Sequence, residues 1–164
     1  MPANQSPLNQ QLITRPARET DSPAIAALLD SLAAHILADP GAPAAAAFIA
    51  SISPTAIAGY IRNPDYRYIL GYIGETLVGA AAMRDNSHLY HLFVSARFQR
   101  RGIAKTLWTQ LRDGAIAAGG TGAFTVNSSI NAIAVYSRLG FVAAGEVQHK
   151  NGLQFQPMRL AAER

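Results

Sequence analysis

The chain of 164 residues contains no cysteine, no long apolar run and few charged residues. Without cysteine it has no disulfide, no zinc–thiolate site and no cysteine nucleophile, and a reducing cytoplasm is the expected compartment. The apolar runs are too short to cross a membrane. The first residues, "MPANQSPLNQ", lack the basic and then apolar order of a secretory signal. We therefore expect a cytoplasmic protein that does not interact with membranes.

Two common signatures of phosphate and acyl chemistry are also missing. The sequence has no G-x-x-x-x-G-K-[ST] loop for nucleotide phosphates and no G-x-S-x-G turn for a serine nucleophile. Apolar residues make up 49% of the chain and charged residues 15%, a composition that favours a folded domain over disorder. The net charge of +4, mostly from arginine, suits either nucleic acid or a small phosphate-bearing ligand.

The hydrophobic pattern predicts one domain over residues 10–164, preceded by a flexible tail over residues 1–9. Ser22 is predicted to cap a first helix, and a second, alanine-rich helical segment is interrupted at "SISP". Alternating apolar residues from 66 to 94 then predict three consecutive strands. Near the end, Asn151-Gly152 predicts the turn of a last hairpin. The predicted order β, α, α, β, β, β, α, β, α, β, β indicates a mixed α/β fold.

The segment "SARFQRRGIAKTLW" places positive charge around one glycine where the third of these strands is followed by a helix. The first N–H groups of a helix have no partner within it, and the helix dipole adds partial positive charge, so such a start can bind anions. Gly102 lets the backbone approach a ligand without a Cβ in between. Arg100, Arg101 and Lys105 add full charges. A diphosphate fits this arrangement; the alternative is an ordinary basic loop with its arginines in water.

Taken with its neighbours, this segment resembles the GNAT superfamily of acyl-CoA N-acyltransferases. Its "QRRGIA" is similar to the superfamily loop Gln/Arg-x-x-Gly-x-Gly/Ala, it follows a strand ending in "LFV", and "VYSRLGF" comes after the next strand. The resemblance implies that residues 10–164 form a single N-acetyltransferase domain. Its central sheet would be mostly antiparallel, with roughly seven strands, helices on both faces and a splay between the fourth and fifth strands.

The resemblance also implies acetyl-CoA as the cosubstrate, without a metal ion. The loop would hold the pyrophosphate of coenzyme A. The backbone of the preceding strand would pair with the pantetheine arm and polarise the thioester carbonyl, an effect worth about 3 kcal/mol per donor in other acyl-transfer enzymes. The superfamily often has an asparagine that contacts the CoA arm where this chain has Ser129. The implied cofactor-binding residues are Leu92, Phe93, Val94, Gln99, Arg100, Arg101, Gly102, Ile103, Ala104, Lys105 and Ser129.

Two histidines lie on the strand before the loop, and the resemblance makes His88 the candidate general base. Several superfamily members carry a glutamate or histidine base at this position, and imidazole titrates in a suitable range. Strand alternation places His88 on the same face as Tyr90, Leu92 and Val94. It places His91 on the opposite face unless a bulge intervenes, so the two rings are not expected to share a metal. The alternatives are a solvated His88 at the turn and a packed His91 in the core.

Tyr136, in "VYSRLGF", is by the same resemblance the candidate that assists departure of the CoA sulfur. Helical spacing places it on one polar stripe with Ser129, and places Ile130 toward the core. A phenol with a pKa of about 10 is a weaker acid than a thiol of about 8.5, which favours a hydrogen bond to the sulfur over full proton transfer. The alternative is an ordinary helix residue whose hydroxyl lies in water.

The expected function is therefore transfer of an acetyl group from acetyl-CoA to a primary amine by direct attack in a ternary complex. The chain has no acidic cluster that would require a polycationic acceptor, so the expected acceptor is a small amine or amino acid, or a peptide N-terminus. No nucleic-acid partner is expected, and a homodimer is compatible with the sequence. Two other classes stay open: a non-catalytic acyl-CoA sensor of the same fold, and a DNA-binding regulator with "QRRGIAKTLWTQL" as its recognition helix.

Overall fold

The computed structural model describes residues 11–37, 39, 41–150 and 153–163. The predicted tail over residues 1–9 and the predicted Asn151-Gly152 turn lie outside these residues. The helices are α1 (Ser22–Ala33), α2 (Ala46–Ser51), α3 (Pro54–Arg62), α4 (Ile103–Ala117) and α5 (Ile133–Arg138). The strands are β1 (Leu12–Pro16), β2 (Tyr66–Ile73), β3 (Thr76–Arg84), β4 (His88–Val94), β5 (Phe124–Ser129), β6 (Val142–Ala143), β7 (Gln148–Lys150) and β8 (Leu153–Leu160).

The strands form one sheet in the order β1-β2-β3-β4-β5-β8-β6, with β7 also paired to β8. Every described pair is antiparallel except β4 and β5, which run parallel. A parallel pair needs a crossover connection, and here α4 provides it. The prediction of a mixed α/β fold with a mostly antiparallel sheet is confirmed, with eight strands among the described residues.

The sheet opens between β4 and β5. These two strands pair only at His88 with Thr125 and at Leu89 with Val126. Beyond Leu89, β4 keeps its partner β3 on one edge, but no β5 residue is paired to its other edge. The predicted splay between the fourth and fifth strands is therefore confirmed, and it exposes polar backbone groups that a ligand can use.

Small residues in β3 let helices pack closely on both faces of the sheet. A Cβ built on Gly79 would lie 2.8 Å from a methyl carbon of Leu107 in α4, so a larger residue would force the buried Leu107 side chain to shift. Ala81 also faces α4. Ala80 and Ala82 face the other side, where α1 and α3 lie. Two hydrophobic cores result, one on each face of the sheet.

The two cores are named here by the helix that covers them. The α4-face core contains Val78, Ala81, Met83, Leu89, Val94, Ile103, Leu107, Trp108, Leu111, Ala115, Phe124, Val126, Tyr136, Phe141 and Met158. The α1-face core contains Ile25, Ala26, Leu29, Ala33, Leu37, Ala45, Ile52, Ile57, Tyr68, Leu70, Ala80 and Ala82.

Local details differ from the sequence prediction in two places. Ser22 is not the cap of α1, because it is the first helical residue and its hydroxyl donates to the carbonyl of Glu19. The predicted last hairpin is instead split, since two short strands, β6 and β7, both pair with β8. The interruption at "SISP" is confirmed: α2 ends there, and the hydroxyl of Ser53 accepts from the N–H of Ala56 at the start of α3. None of the helices described here has the length and apolarity of a membrane span.

Candidate active site

Helix α4 begins directly after Gly102, whose φ of 79° lies in the left-handed region that only glycine adopts without a steric cost. No side chain of the described residues caps this helix start. A Cβ built on Gly102 would meet no protein atom within 4 Å. Arg100 is also left-handed, with a φ of 65°, a conformation found in anion-binding concavities of backbone N–H groups. The first N–H groups of α4 therefore have no side-chain cap among the described residues, and the space beside Gly102 is open to a ligand.

Positive charge surrounds this helix start. Arg100, Arg101 and Lys105 are exposed, and no salt bridge to them occurs within the described chain. The guanidinium carbon of Arg101 lies 5.2 Å from the ring centroid of Phe98, and that of Arg97 lies 5.8 Å from the same ring. Such cation–π contacts are worth about 0.5–1 kcal/mol at exposed sites. They keep the arginine side chains beside the loop while their charge stays available to a ligand.

The unpaired edge of β4 leads to this loop. The N–H of Ser95 donates to the carbonyl of Val78 in β3 over 2.8 Å, so the N–H and carbonyl of Val94 point the other way, toward the gap. The side-chain amide of Gln99 donates to that Val94 carbonyl over 3.1 Å. The side chain of Gln99 thus provides a partner for the gap-facing carbonyl of Val94. The N–H groups of Leu92 and Val94, two residues apart, remain directed into the splay.

A bulge in β4 changes which side chains share a face. Met83 pairs with Leu89 and Ala82 pairs with His91, so Tyr90 is an extra residue without a partner in β3. One extra residue reverses the alternation of all the residues that follow it. Consistent with this, the rings of Tyr90 and His91 stack on the same face, with centroids 4.5 Å apart.

The prediction that His88 shares a face with Leu92 and Val94 is therefore wrong. Val94 is buried in the α4-face core and Leu92 packs against it, whereas Tyr90, on the His88 side of the bulge, packs against the α1-face core. The bulge brings His88 and His91 to the same face of the sheet. A bulge is the condition under which strand alternation lets the two histidines share a face. Nothing in the sequence marks its position.

His88 lies at the end of β4 that still pairs with β5. Its Nδ1 is 2.7 Å from the hydroxyl oxygen of Thr125, a residue that alternates with the buried Phe124 and Val126. Burial, and next the charge of Arg84, lower the pKa of His88, while Asp85 opposes the shift. The imidazole is therefore neutral at neutral pH, the form in which it can accept a proton from an amine.

His91 is a packed residue. It is 6% exposed, its Nδ1 is 3.0 Å from the hydroxyl oxygen of Tyr68, and its ring contacts those of Tyr60 and Phe93 edge to face. Burial lowers its pKa to about 3. This geometry agrees with the packed-core alternative for His91, and its low pKa leaves the imidazole neutral.

Tyr136 lies in α5 and is buried in the α4-face core beside Phe141, with ring centroids 5.9 Å apart. Burial raises its pKa, so the phenol stays protonated and can act as a hydrogen-bond donor. No described residue forms a hydrogen bond with its hydroxyl, and no fully buried side-chain oxygen in the described chain lacks a partner. The hydroxyl of Tyr136 therefore has no hydrogen bond from the described residues, on a residue that is 7% exposed.

The predicted polar stripe on the last helix is not present. Ser129 is the final residue of β5 rather than a helical residue, and Ile130, predicted to face the core, is 41% exposed. The nearby Asn131 donates from its side-chain amide to the carbonyl of His35 over 2.9 Å. Ser129 instead lies on the strand that faces the unpaired edge of β4 across the splay.

The structure thus brings together Val94, Ile103 and Tyr136 in one core, with Leu92 and Ala104 packed against it. Phe93 faces the opposite core. The loop residues Gln99, Arg100, Arg101, Gly102 and Lys105 lie between the end of β4 and the start of α4. The described residues contain no group of three or more histidine and acidic side chains placed to hold a metal ion.

Comparison with known proteins points in the same direction. A family model described as an acetyltransferase (GNAT) domain matches residues 36–162, well over half of the chain. A search of curated proteins found no significant match.

Solved structures with a similar fold align with nearly the whole chain. A GCN5-related N-acetyltransferase from Rhodopseudomonas palustris is 23% identical, with a TM-score of 0.74 over 91% of this chain and 94% of its own. The PaiA N-acetyltransferase from Thermoplasma acidophilum, solved with coenzyme A, is 16% identical, with a TM-score of 0.70 over 92% of this chain and 98% of its own. YncA from Salmonella typhimurium, solved with acetyl-CoA, is 16% identical, with a TM-score of 0.70 over 94% and 95%.

Proposed function

Because this chain belongs to the GNAT family of acetyltransferases, we propose that it transfers an acetyl group from acetyl-CoA to a primary amine by direct attack in a ternary complex. The observation that carries the proposal is the open, uncapped start of α4 beside the unpaired edge of β4. The presence of coenzyme A or acetyl-CoA in two structures of similar fold supports the same ligand here.

The diphosphate and the pantetheine arm of coenzyme A each have matching groups at this site. The diphosphate binds the first N–H groups of α4 after Gly102, and the exposed Arg100 and Arg101 add charge. The pantetheine arm lies along the gap-facing N–H groups of β4, opposite Ser129. Among the described residues these N–H groups have no β5 partner, so no strand-pairing hydrogen bond has to break when the ligand binds.

The acetyl transfer uses groups on both faces of the sheet. The amine nitrogen attacks the thioester carbonyl, and an N–H of β4 stabilises the oxyanion. His88 accepts the amine proton, directly or through water. As the carbon–sulfur bond breaks, the hydroxyl of Tyr136 donates a hydrogen bond to the sulfur, which leaves as a thiolate. His88 faces the α1 side and Tyr136 the α4 side, so the base and the leaving-group donor do not compete for space.

The acceptor binds on the face that carries His88, and we expect a small amine or amino acid, or a peptide N-terminus. Three tyrosine rings line this region, since Tyr60 stacks on Tyr66 and contacts Tyr90 edge to face. Their hydroxyls are also linked: Tyr90 donates to Tyr60 over 3.1 Å, and Tyr60 donates to the carbonyl of Ser51 over 2.9 Å.

An acceptor screen with detection of released thiol tests the proposal. Wild-type protein with acetyl-CoA is expected to release coenzyme A with at least one class of amine. In Tyr136→Phe, kcat is expected to fall about 10²-fold because the donor to the sulfur is lost. The change conserves volume, so the melting temperature should stay close to that of wild type.

Tyr72→Phe is the matched control. This hydroxyl accepts from Arg15 over 3.1 Å, away from the site, and its loss should leave kcat unchanged. If Tyr136→Phe keeps the wild-type kcat with every accepted amine, Tyr136 has no role at the sulfur. If coenzyme A binds but no amine releases thiol, the acyl-CoA sensor replaces the transferase.

A further inference from the structure

Four polar side chains stand in register across neighbouring strands on the face that carries the candidate base. Arg84 of β3 pairs with His88 of β4, His88 pairs with Thr125 of β5, and Thr125 pairs with Arg159 of β8. We call these four residues the arginine row. Directly opposed residues in a sheet have Cβ atoms about 4.5–5.5 Å apart, so each side chain in the row is within reach of the next.

All four side chains point to the α1 side. The guanidinium of Arg84 lies 5.9 Å from the ring centroid of Tyr90, and the ring of His88 meets the hydroxyl of Thr125. Arg159 alternates with Met158, which is buried in the α4-face core, so its side chain lies on the other face. Thr125 and Arg159 are exposed, and Arg84 and His88 are half-buried. The row is therefore accessible to a ligand.

Within the part of the chain that the structure describes, the charges of the row have little compensation. Arg159 has no salt bridge within the described residues, and Arg84 has only the exposed Asp85, whose oxygen is 3.6 Å from its Nε. An exposed ion pair of this kind contributes about 0–1 kcal/mol and neutralises little. Two arginines thus flank a histidine whose pKa is lowered, on the face where the acceptor binds.

We infer that the arginine row binds an anionic group of the acceptor, so that the preferred acceptors are primary amines carrying a carboxylate or a phosphate. The inference rests on the proposed function and names the acceptor class for the same site. Planar guanidinium groups suit both anions because they can donate two hydrogen bonds to either one. When the Nδ1–H of His88 donates to the oxygen of Thr125, the hydroxyl hydrogen of Thr125 can donate to the anion.

The position of the row sets the distance between amine and anion. His88, which accepts the amine proton, stands between the two arginines of the row. Neighbouring strands lie about 4.8 Å apart, so Arg84, one strand from His88, and Arg159, two strands away, hold the anion about 5–10 Å from the imidazole. The anion of the acceptor is therefore several bonds from the reacting nitrogen, as in an ω-amino acid or an aminoalkyl phosphate, and unlike glycine.

Binding of acetylated product analogues to the CoA-loaded protein tests this without requiring turnover. Calorimetry compares N-acetyl-4-aminobutanoate, its uncharged primary amide, and N-acetyl-2-aminoethyl phosphate. We expect at least one anion to bind about tenfold more tightly than the amide, the effect of one charge-assisted hydrogen bond. The analogue that binds more tightly shows whether the site prefers a carboxylate or a phosphate.

Variants assign the preference to the row. Arg159→Gln is expected to abolish the tenfold preference, while Arg112→Gln, which removes an arginine from α4 on the opposite face, should keep it. The inference is overturned if the anions and the amide bind equally or if neither binds. It is also overturned if Arg159→Gln keeps the preference for the anion. Coenzyme A affinity and thiol release with the amine panel are measured first. A protein that binds coenzyme A and releases thiol with an amine but shows no anion preference fails only this inference, whereas loss of either property counts against the proposed function.

Discussion

At the scale of single residues, the direction in which each side chain of β4 points decides its chemistry. His88 and Tyr136 lie on opposite sides of the sheet, and the pKa of each is shifted in the useful direction: lowered for the base and raised for the hydrogen-bond donor. The sequence indicated both residues through a resemblance. It could not show that His88 faces away from Val94, because the bulge at Tyr90 depends on the strand pairing and not on any local residue preference.

The pKa of His88 provides a prediction at this scale. Burial and the nearby Arg84 disfavour the imidazolium, so its pKa should lie below 6.5, the ordinary histidine value, when followed by NMR. In Arg84→Gln one source of this shift is removed and the pKa of His88 should rise. The base must be neutral to accept a proton. In the pH profile of kcat/KM, measured with an amine that carries no anionic group, the acidic limb should therefore move to higher pH in the same variant.

Arg112→Gln serves as the control for this titration as well, since Arg112 pairs with Asp113 on α4 and should leave the pKa of His88 unchanged. A His88 pKa that stays the same in Arg84→Gln would mean that the guanidinium does not act on the imidazole.

At the scale of elements, the start of α4 combines features that are separately common. A left-handed glycine, an open space in front of it and surrounding arginines together make an anion site, whereas any one of them alone does not. The sequence predicted this element well because glycine, the basic residues and the helical apolar spacing all lie within one short segment. It predicted the last helix poorly, since a strand end, a 3-10 turn and a short helix, α5, share one apolar pattern there.

Gly102→Ala tests the role of the helix start. A left-handed alanine costs about 1–2 kcal/mol, but the added Cβ would meet no protein atom within 4 Å. We expect a modest loss of stability together with a loss of at least tenfold in coenzyme A affinity, because the methyl group would occupy the space next to the diphosphate. Calorimetry and thermal unfolding measure the two effects on the same samples.

Gly119→Ala is the matched control at the other end of the same helix. Gly119 has a φ of +96°, and a Cβ there also meets no protein atom within 4 Å. It should therefore lose similar stability but keep the affinity for coenzyme A. Equal losses of affinity in both variants would show that strain in α4, and not contact with the ligand, weakens binding.

At the scale of the whole molecule, the opening of the sheet between β4 and β5 connects its two faces. The small residues of β3 bring α4 close on one face, and α1 and α3 cover the other. The order of the elements and the mixed sheet followed from the sequence, because long periodic segments determine them. The pairing of β6 and β7 with the same strand did not, since short exposed strands such as Gln148–Lys150 have no apolar alternation.

The central claim is that coenzyme A binds along the edge of β4 with its diphosphate at the start of α4. The most direct measurement is an NMR titration of the backbone amides with coenzyme A. We expect the largest chemical-shift changes at Leu92, Val94 and residues 100–105, while the amide shifts of β1 and β2 stay unchanged. Large shifts elsewhere with these amides unchanged, or no shift at millimolar coenzyme A, would contradict it.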